Sequence, residues 1–404
     1  MRDIVLYLHM HQPKRIRPYS VFDIGERHDY FSEIGPSGNE EIFHKVADKS
    51  YYPMVALLTK LAHENENFSV NLSISGIFLE QCEAWEPELL VQLKALIATG
   101  KVELATETYF HSLAFFYSQK EFETQIDMQN QALKRQFGVT PQILRNTELA
   151  YNNDLGRWAA ANGYKAVLAE GWDPILNWRS SHYLYSPKGI ENVALFLKDY
   201  RFSDDIAFRY SNRHWAEWPL TPDKYRGWID ALPEKERLIN LFMDFETFGE
   251  HQWADTGVFD FFERFAGRWC SDGNRFATFT EAMDTHRIHD EIDMPDTVTW
   301  ADTERDLSAW LGNAMQQEVA ESLYRQEASV LRTKDEQLIH DWRLLQSSDH
   351  LYYLSTKWFD DGNVHAYFSP YDSPYDAFLG YMNAVRDVRY RVYEKSGQRL
   401  SVDG

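Results

Sequence analysis

The 404-residue sequence predicts an α/β fold: a barrel-like domain of parallel strands followed by a helical C-terminal region. Three observations predict it. Up to residue 290, short β-rich apolar runs alternate with longer amphipathic stretches, the pattern of a parallel sheet with crossover helices. The alternating part holds seven such runs, enough for a barrel, with a doubly wound open sheet as the alternative. Beyond it the apolar spacing becomes that of long helices. Residues 1–290 are therefore expected to form the barrel, and residues 291–404 a helical region that packs on it and helps build its site.

The runs, in order, are IVLYL (4–8), SVNLSI (69–74), VELAT (102–106), QILRNT (142–147), KAVLA (165–169), NVALFL (192–197) and LINLFMD (238–244). Amphipathic stretches at 41–65, 87–100, 119–138 and 153–164 separate several of them. The second and third end in Gly, and the last contains Gly163 near its end, a common helix stop. In the C-terminal part, helices are expected over 304–331, 334–354 and 375–397, with Pro370 and Pro374 marking a loop. There are no internal repeats and no low-complexity linker.

Lys and Arg number 41 against 62 Asp and Glu, a net charge of −21. That argues against nucleic acid and anionic membranes as partners, since both select basic patches. The two cysteines, Cys82 and Cys270, have no metal-type spacing and read as small core residues. The N-terminus lacks the shape of a signal peptide, and no apolar run is long enough to span a bilayer, so a soluble cytoplasmic protein is expected. The 13 Trp and 23 Tyr would suit sugar binding, because a pyranose packs its apolar face on a flat ring.

In a parallel sheet the C-terminal strand ends gather on one side, where sites form. The polar residues there are His9 and His11 after the first run, Glu107 and His111 after the third, and Glu148 after the fourth. Glu170 and Trp172 follow the fifth, Asp199 the sixth, and Asp244 and Glu246 the seventh. Core packing gives no reason for carboxylates at such positions. Asp244 and Glu246 stand two apart, so an extended backbone would point both to one face, and close like charges would raise one pKa. With Glu148 opposite, one ionised and one protonated carboxyl are the machinery of glycoside hydrolysis. The bland alternative pairs these acids with Arg145, Arg201 or Arg209. His9 and His11, with His111 or His251 as a third ligand, offer the rival of a metal-dependent hydrolase or polysaccharide deacetylase.

Five segments together resemble family 57 of the glycoside hydrolases: HMHQP (9–13), GKVELATETYFHSLA (100–114), LRNTELAY (144–151), MDFETFGEHQW (243–253) and WADTERDLSAWLGN (300–313). The form ETFGEHQW is most similar to members with α-amylase activity. The resemblance implies a (β/α)7 barrel, an incomplete TIM-like barrel, followed by a helical region. It implies a retaining mechanism on α-1,4-glucans or maltooligosaccharides with no cofactor and no metal. It places the nucleophile on Glu148 and the general acid/base on Asp244. Substrate contacts are implied at or beside His11, His111, Glu246 and Trp253, and are expected also at His9, Trp172, His251 and Trp310. The second motif leaves Glu103 and Glu107 as alternatives. The fifth leaves Asp302 and Asp306, with Asp306 favoured because it begins the helix bearing Trp310. A 4-α-glucanotransferase would share every catalytic residue.

Overall fold

The computed structural model describes residues 1–31, 38–357 and 369–396. The chain divides into two compact units: residues 1–11, 43–107 and 128–300 form one, and residues 12–42, 108–127 and 301–404 the other. Among the described residues no helix is long and apolar enough to cross a membrane.

The first unit holds a ten-stranded sheet. Its strands are β1 (Asp3–Met10), β2 (Val70–Ile74), β3 (Val102–Thr106), β4 (Ile143–Leu144), β5 (Ala166–Glu170), β6 (Leu184–Pro187), β7 (Ala194–Lys198), β8 (Leu238–Asp244), β9 (Arg275–Phe276) and β10 (Ile288–Ile292). Seven of them, in the order β8-β1-β2-β3-β4-β5-β7, pair in parallel, and they are the seven expected runs. All eight residues of β1 are buried, as expected for a strand covered on both faces. No ladder joins β7 to β8. Instead the Asp199 N–H donates to the Asn240 carbonyl at 2.8 Å, and Asn240 Nδ2 donates to the Leu197 carbonyl at 2.8 Å. One buried amide thus closes the barrel where strand pairing stops.

Three strands were not expected. β9 has two residues beside β1; β6 runs antiparallel to β7, and β10 pairs with β6. β10, Ile-His-Asp-Glu-Ile, is mostly exposed, so its sequence carries no apolar alternation to read. β4 is shorter than its run because the chain turns away at Glu148, described below.

The second unit is helical. Its core gathers Trp310, Val319, Leu323, Leu338 and Trp342 with Ile16, Tyr19, Tyr30 and Leu113 from earlier in the chain. Burial of those aromatic and aliphatic side chains is why residues 12–42 and 108–127 belong to it, whereas the expected boundary was a single cut at 290. The expected helix over 304–331 is three: Ser308–Leu311, Ala314–Tyr324 and Glu327–Thr333. Asn313 forces the first break. Its side chain accepts from Gln316 N at 2.9 Å while Gln316 Oε1 accepts from Asn313 N at 3.0 Å, a capping box that starts a new helix. The stretch over 334–354 likewise divides into Glu336–Leu344, capped by Asp335, and Ser348–Tyr352. The last helix is Pro374–Ser396, and residue 397 of the expected span lies outside the described residues.

At the start of β1, Asp3 is 2% exposed and accepts from Arg275 at 2.6 Å and His286 Nε2 at 2.8 Å. Burial raises its pKa, but His286 and Arg275 outweigh that and hold the carboxyl below its ordinary value. The contribution is present above the unfolded-chain carboxylate pKa and is lost as pH falls through the lower folded value. Asp3→Asn should lower the unfolding free energy by about 2–4 kcal/mol at neutral pH, by leaving Arg275 without its partner. The difference from wild type should shrink toward acid pH. Urea unfolding at two pH values checks both; equal midpoints at neutral pH would dismiss the pair as a fastening of β1.

Candidate active site

The C-terminal ends of β1, β3, β4 and β8 bring a set of charged and aromatic side chains together within the barrel unit. The register pairs His9 on β1 directly with Asp244 on β8. His9 Nδ1 stands 3.5 Å from Asp244 Oδ1, and its Nε2 stands 3.1 Å from Glu107 Oε2. Arg145 Nη1 donates to the same Glu107 oxygen at 3.2 Å. Glu107 and Arg145 are both fully buried and His9 is nearly so, whereas the Asp244 side chain is 39% exposed. Buried charges demand such pairing.

Glu148 lies in a short turn, Thr147–Leu149, that follows β4. Its φ of 60° and the φ of 51° at Leu149 put two consecutive side-chain-bearing residues in the left-handed region. That backbone is costly and persists where surrounding structure enforces it. The enforcement comes from the segment before residue 300. Tyr151 and Val298 exchange backbone hydrogen bonds, and Trp300 N donates to the Glu148 carbonyl at 3.2 Å. The Trp300 indole Nε1 then donates to Glu148 Oε2 at 2.8 Å. Its ring also has Arg145 at 5.2 Å and Lys198 at 5.6 Å over it, and the His9 ring edge at 6.4 Å. Lys198 in turn lies 3.6 Å from Glu170.

The charges act on one another. Burial alone would loosen the Arg145 proton, but Tyr7, Glu107, Glu148 and Asp244 together bind it more firmly than usual. One buried guanidinium therefore senses both Glu148 and Asp244. For Asp244, burial pulls the pKa up, and His9, His251 and Arg145 outweigh it, leaving the carboxyl below the ordinary value. This corrects the expectation that Glu246 raises it. After Asp244 the chain enters a 3-10 turn, Phe245–Thr247, so the two-residue alternation of a strand ends there. Glu246 is nearly buried and accepts a hydrogen bond from the Tyr51 hydroxyl. Burial lowers the pKa of His251.

Other expected positions sort clearly. His11 Nδ1 bonds Ser75 Oγ at 2.7 Å and its ring stacks on His9 at 5.8 Å. Glu103 accepts from Thr280 N and Oγ1 at 2.8 and 2.6 Å, near the start of β3, whereas Glu107 is the residue beside His9. Trp172 is half-buried after β5, and Trp253 is 59% exposed with Lys49 over its ring. In the helical unit, His111 has a φ of 52° and its carbonyl accepts from Ser348 N at 2.8 Å. Asp306 is exposed and accepts from Ser308 N; Asp302 pairs with Lys357 at 3.2 Å. Trp310, expected as a substrate contact, is 1% exposed within the helical core. Of the three arginines offered as structural partners, only Arg145 meets the carboxylates; Arg201 pairs with Asp173 and Arg209 with Asp205. Sequence reasoning missed Trp300 and Lys198. The trace they left is that Trp300 opens the fifth quoted segment and Lys198 ends a strand otherwise apolar.

Gly249 explains the glycine of the fourth segment. Its φ is +106°, and a Cβ there would lie 1.9 Å from the Lys49 carbonyl oxygen. The loop carrying Glu246 to Trp253 therefore lies directly against residues 47–51, which deliver Tyr51 to Glu246. Gly249→Ala should destabilise the protein by about 1–3 kcal/mol through backbone strain and reduce activity further by moving that loop. Thermal melting with an activity assay checks it; a wild-type melting curve would show the approach to be unimportant.

The sequence pattern of Glycosyl hydrolase family 57 matches residues 5–295. A protein of Methanocaldococcus jannaschii, provisionally named an alpha-amylase, is 39% identical over 398 residues, spanning 92% of this chain and 84% of its own. Among solved structures, the family 57-type branching enzyme of Pyrococcus horikoshii superposes with a TM-score of 0.71 at 15% identity, covering 99% of this chain and 92% of its own. The 4-alpha-glucanotransferase of Thermococcus litoralis gives 0.63 at 16% identity, over 87% and 56%. With carboxylates at the strand ends of a seven-stranded parallel barrel and a match across most of its length, the chain belongs to family 57 of the glycosyl hydrolases.

Proposed function

We propose that the protein is a retaining α-glucan hydrolase of the α-amylase type, with Glu148 as nucleophile and Asp244 as general acid/base. The observation that carries this reading is that Glu148, after β4, and Asp244, at the end of β8, each have a partner of their own, Trp300 Nε1 at 2.8 Å and His9 Nδ1 at 3.5 Å, and that Arg145 links those partners by lying over the Trp300 ring and bonding the Glu107 oxygen that His9 shares. Glu148 attacks the anomeric carbon as the glycosidic oxygen takes the Asp244 proton, giving a glycosyl ester and a shortened glucan. Water then adds, losing its proton to Asp244, and Glu148 leaves. Esterification removes a negative charge near Asp244, so Asp244 holds its proton less tightly in the second step, when it must act as base. A sugar that excludes water from Asp244 strengthens the pull of burial, and so favours the protonated acid in the first. The M. jannaschii relative's name supports an α-1,4-glucan substrate.

Glu148→Gln keeps the Trp300 hydrogen bond and removes the attacking charge. Turnover of maltooligosaccharides should fall by at least about 10⁴-fold with binding retained, since the covalent route is lost; near-wild-type turnover would exclude Glu148 as nucleophile.

Asp244→Ala should cost about 10²–10⁴ on natural glucans, whose leaving group needs a proton, and much less in the first step on an aryl glycoside. Azide, which needs no general base, should then yield the α-glycosyl azide, the product of two inversions at one carbon. A β-glycosyl azide would overturn the retaining assignment. Products longer than the starting maltooligosaccharide would favour the glucanotransferase reading.

A further inference from the structure

The barrel unit contains a second concavity that the proposed chemistry does not use. It is a cavity of about 600 Å³ beside the β7–β8 seam, within the range of about 300–1,000 Å³ typical of small-molecule sites. None of Glu148, Asp244, His9, Glu107, Arg145 or Trp300 lines it. The strand separates the two sites. Lys198 and Asp199 are consecutive, so their side chains leave opposite faces. Lys198 reaches Glu170 and the Trp300 ring, whereas Asp199 meets His182 Nε2 at 2.5 Å on the cavity side.

The walls are aromatic. Trp215 and Trp228, both half-buried, stand 6.0 Å apart with rings at 73°, and Tyr200 lies opposite on the helix Tyr200–Ala207. The floor is a fixed array of donors and acceptors. His182 sits between Asp199 and Glu236, with Nδ1 2.7 Å from Glu236 Oε2, and Ser180 Oγ donates to that same oxygen at 3.1 Å. His182 and Asp199 are each more than nine-tenths buried. At the rim, Asp173 accepts from Tyr200 at 2.9 Å and Arg201 at 2.6 Å, and Glu217 is exposed. The lining carries Asp173, Asp199, Asp205, Glu217 and Glu236 against Arg179 and Arg201, and charges of both signs are already engaged: Arg179 with Asp290, Arg201 with Asp173, Arg209 with Asp205, Lys224 with Glu217, and His182 with Asp199 and Glu236. With its cations committed in this way, the cavity is not built for an anion. A neutral ring with apolar faces and a hydroxyl edge fits both walls and floor: the faces meet indole, and the hydroxyls donate to the carboxylates.

We propose that this cavity is a second saccharide-binding site, which holds a segment of the same α-glucan away from the reacting bond. The inference rests on the α-glucan reading above. Its use is multivalent: a long chain held there raises the effective concentration of its other segments at Glu148 and Asp244, and a short oligosaccharide gains nothing.

Calorimetric titration of the Glu148→Gln protein with maltoheptaose tests it. Two sites per chain are expected. Adding Trp228→Ala should weaken the second by about tenfold or more, the loss expected when an aromatic anchor is truncated. The rim pair Asp173→Asn with Glu217→Gln, at exposed positions, should weaken it too and guards against misfolding of the Trp228 variant. In the wild-type background, Trp228→Ala should lower the ratio of kcat/KM on amylose to that on an aryl maltotrioside. One site in the parent protein, or a second site unchanged in both variants, overturns the proposal. Glucan turnover by wild type without a second site overturns this inference alone; absence of both turnover and binding overturns it together with the α-glucan reading.

Discussion

The hydrogen bond from the Trp300 indole to Glu148 is the constraint on which the site depends. Trp300 holds Glu148 twice, through its backbone carbonyl and through its carboxylate. The same ring has Arg145 and Lys198 over it. Arg145 in turn neutralises Glu107, which lets His9 stand between two carboxylates. Removing one member of such an array leaves a buried charge uncompensated, so the array holds or fails as a unit. The left-handed backbone at Glu148 and Leu149 is stable only because the strand-like segment ending at Trp300 is fastened alongside it.

The barrel was legible because its strands are largely buried and therefore mostly apolar, a signal that needs no partner to read. β6 and β10 were not: β6 is buried but only four residues long, and β10, at the edge of the sheet, is mostly exposed and carries little pattern. Helix extents failed for a local reason. The apolar spacing of 304–331 continues through Gly312 and Asn313, but a capping box ends one helix and begins the next; Asn-x-x-Gln was present to be read and outweighs periodicity there.

For the site, positions at strand ends were readable from the order of runs, and Asp244, His9, Glu107 and Glu148 do lie there. Side-chain partners were not. Spacing suggested Glu246 as the neighbour that tunes Asp244, yet the strand ends one residue too early for that, and Tyr51, nearly two hundred positions earlier, takes Glu246. Tuning of Asp244 comes from β1 across the sheet, a register fact that no local pattern encodes.

The bonds that hold this site span most of the chain. Trp300 is 152 positions from Glu148, and Arg275 is 272 from Asp3. β1 is made before the other strands of this sheet and lies beside β8, more than two hundred residues later. Until then an eight-residue apolar strand has one of its ladder edges open, the kind of surface that associates with other chains. Synthesis of this protein therefore passes through a long interval in which β1 is made and Glu148 is not yet held by Trp300. The late position of Trp300 means that Glu148 takes up its final geometry only with the completed barrel.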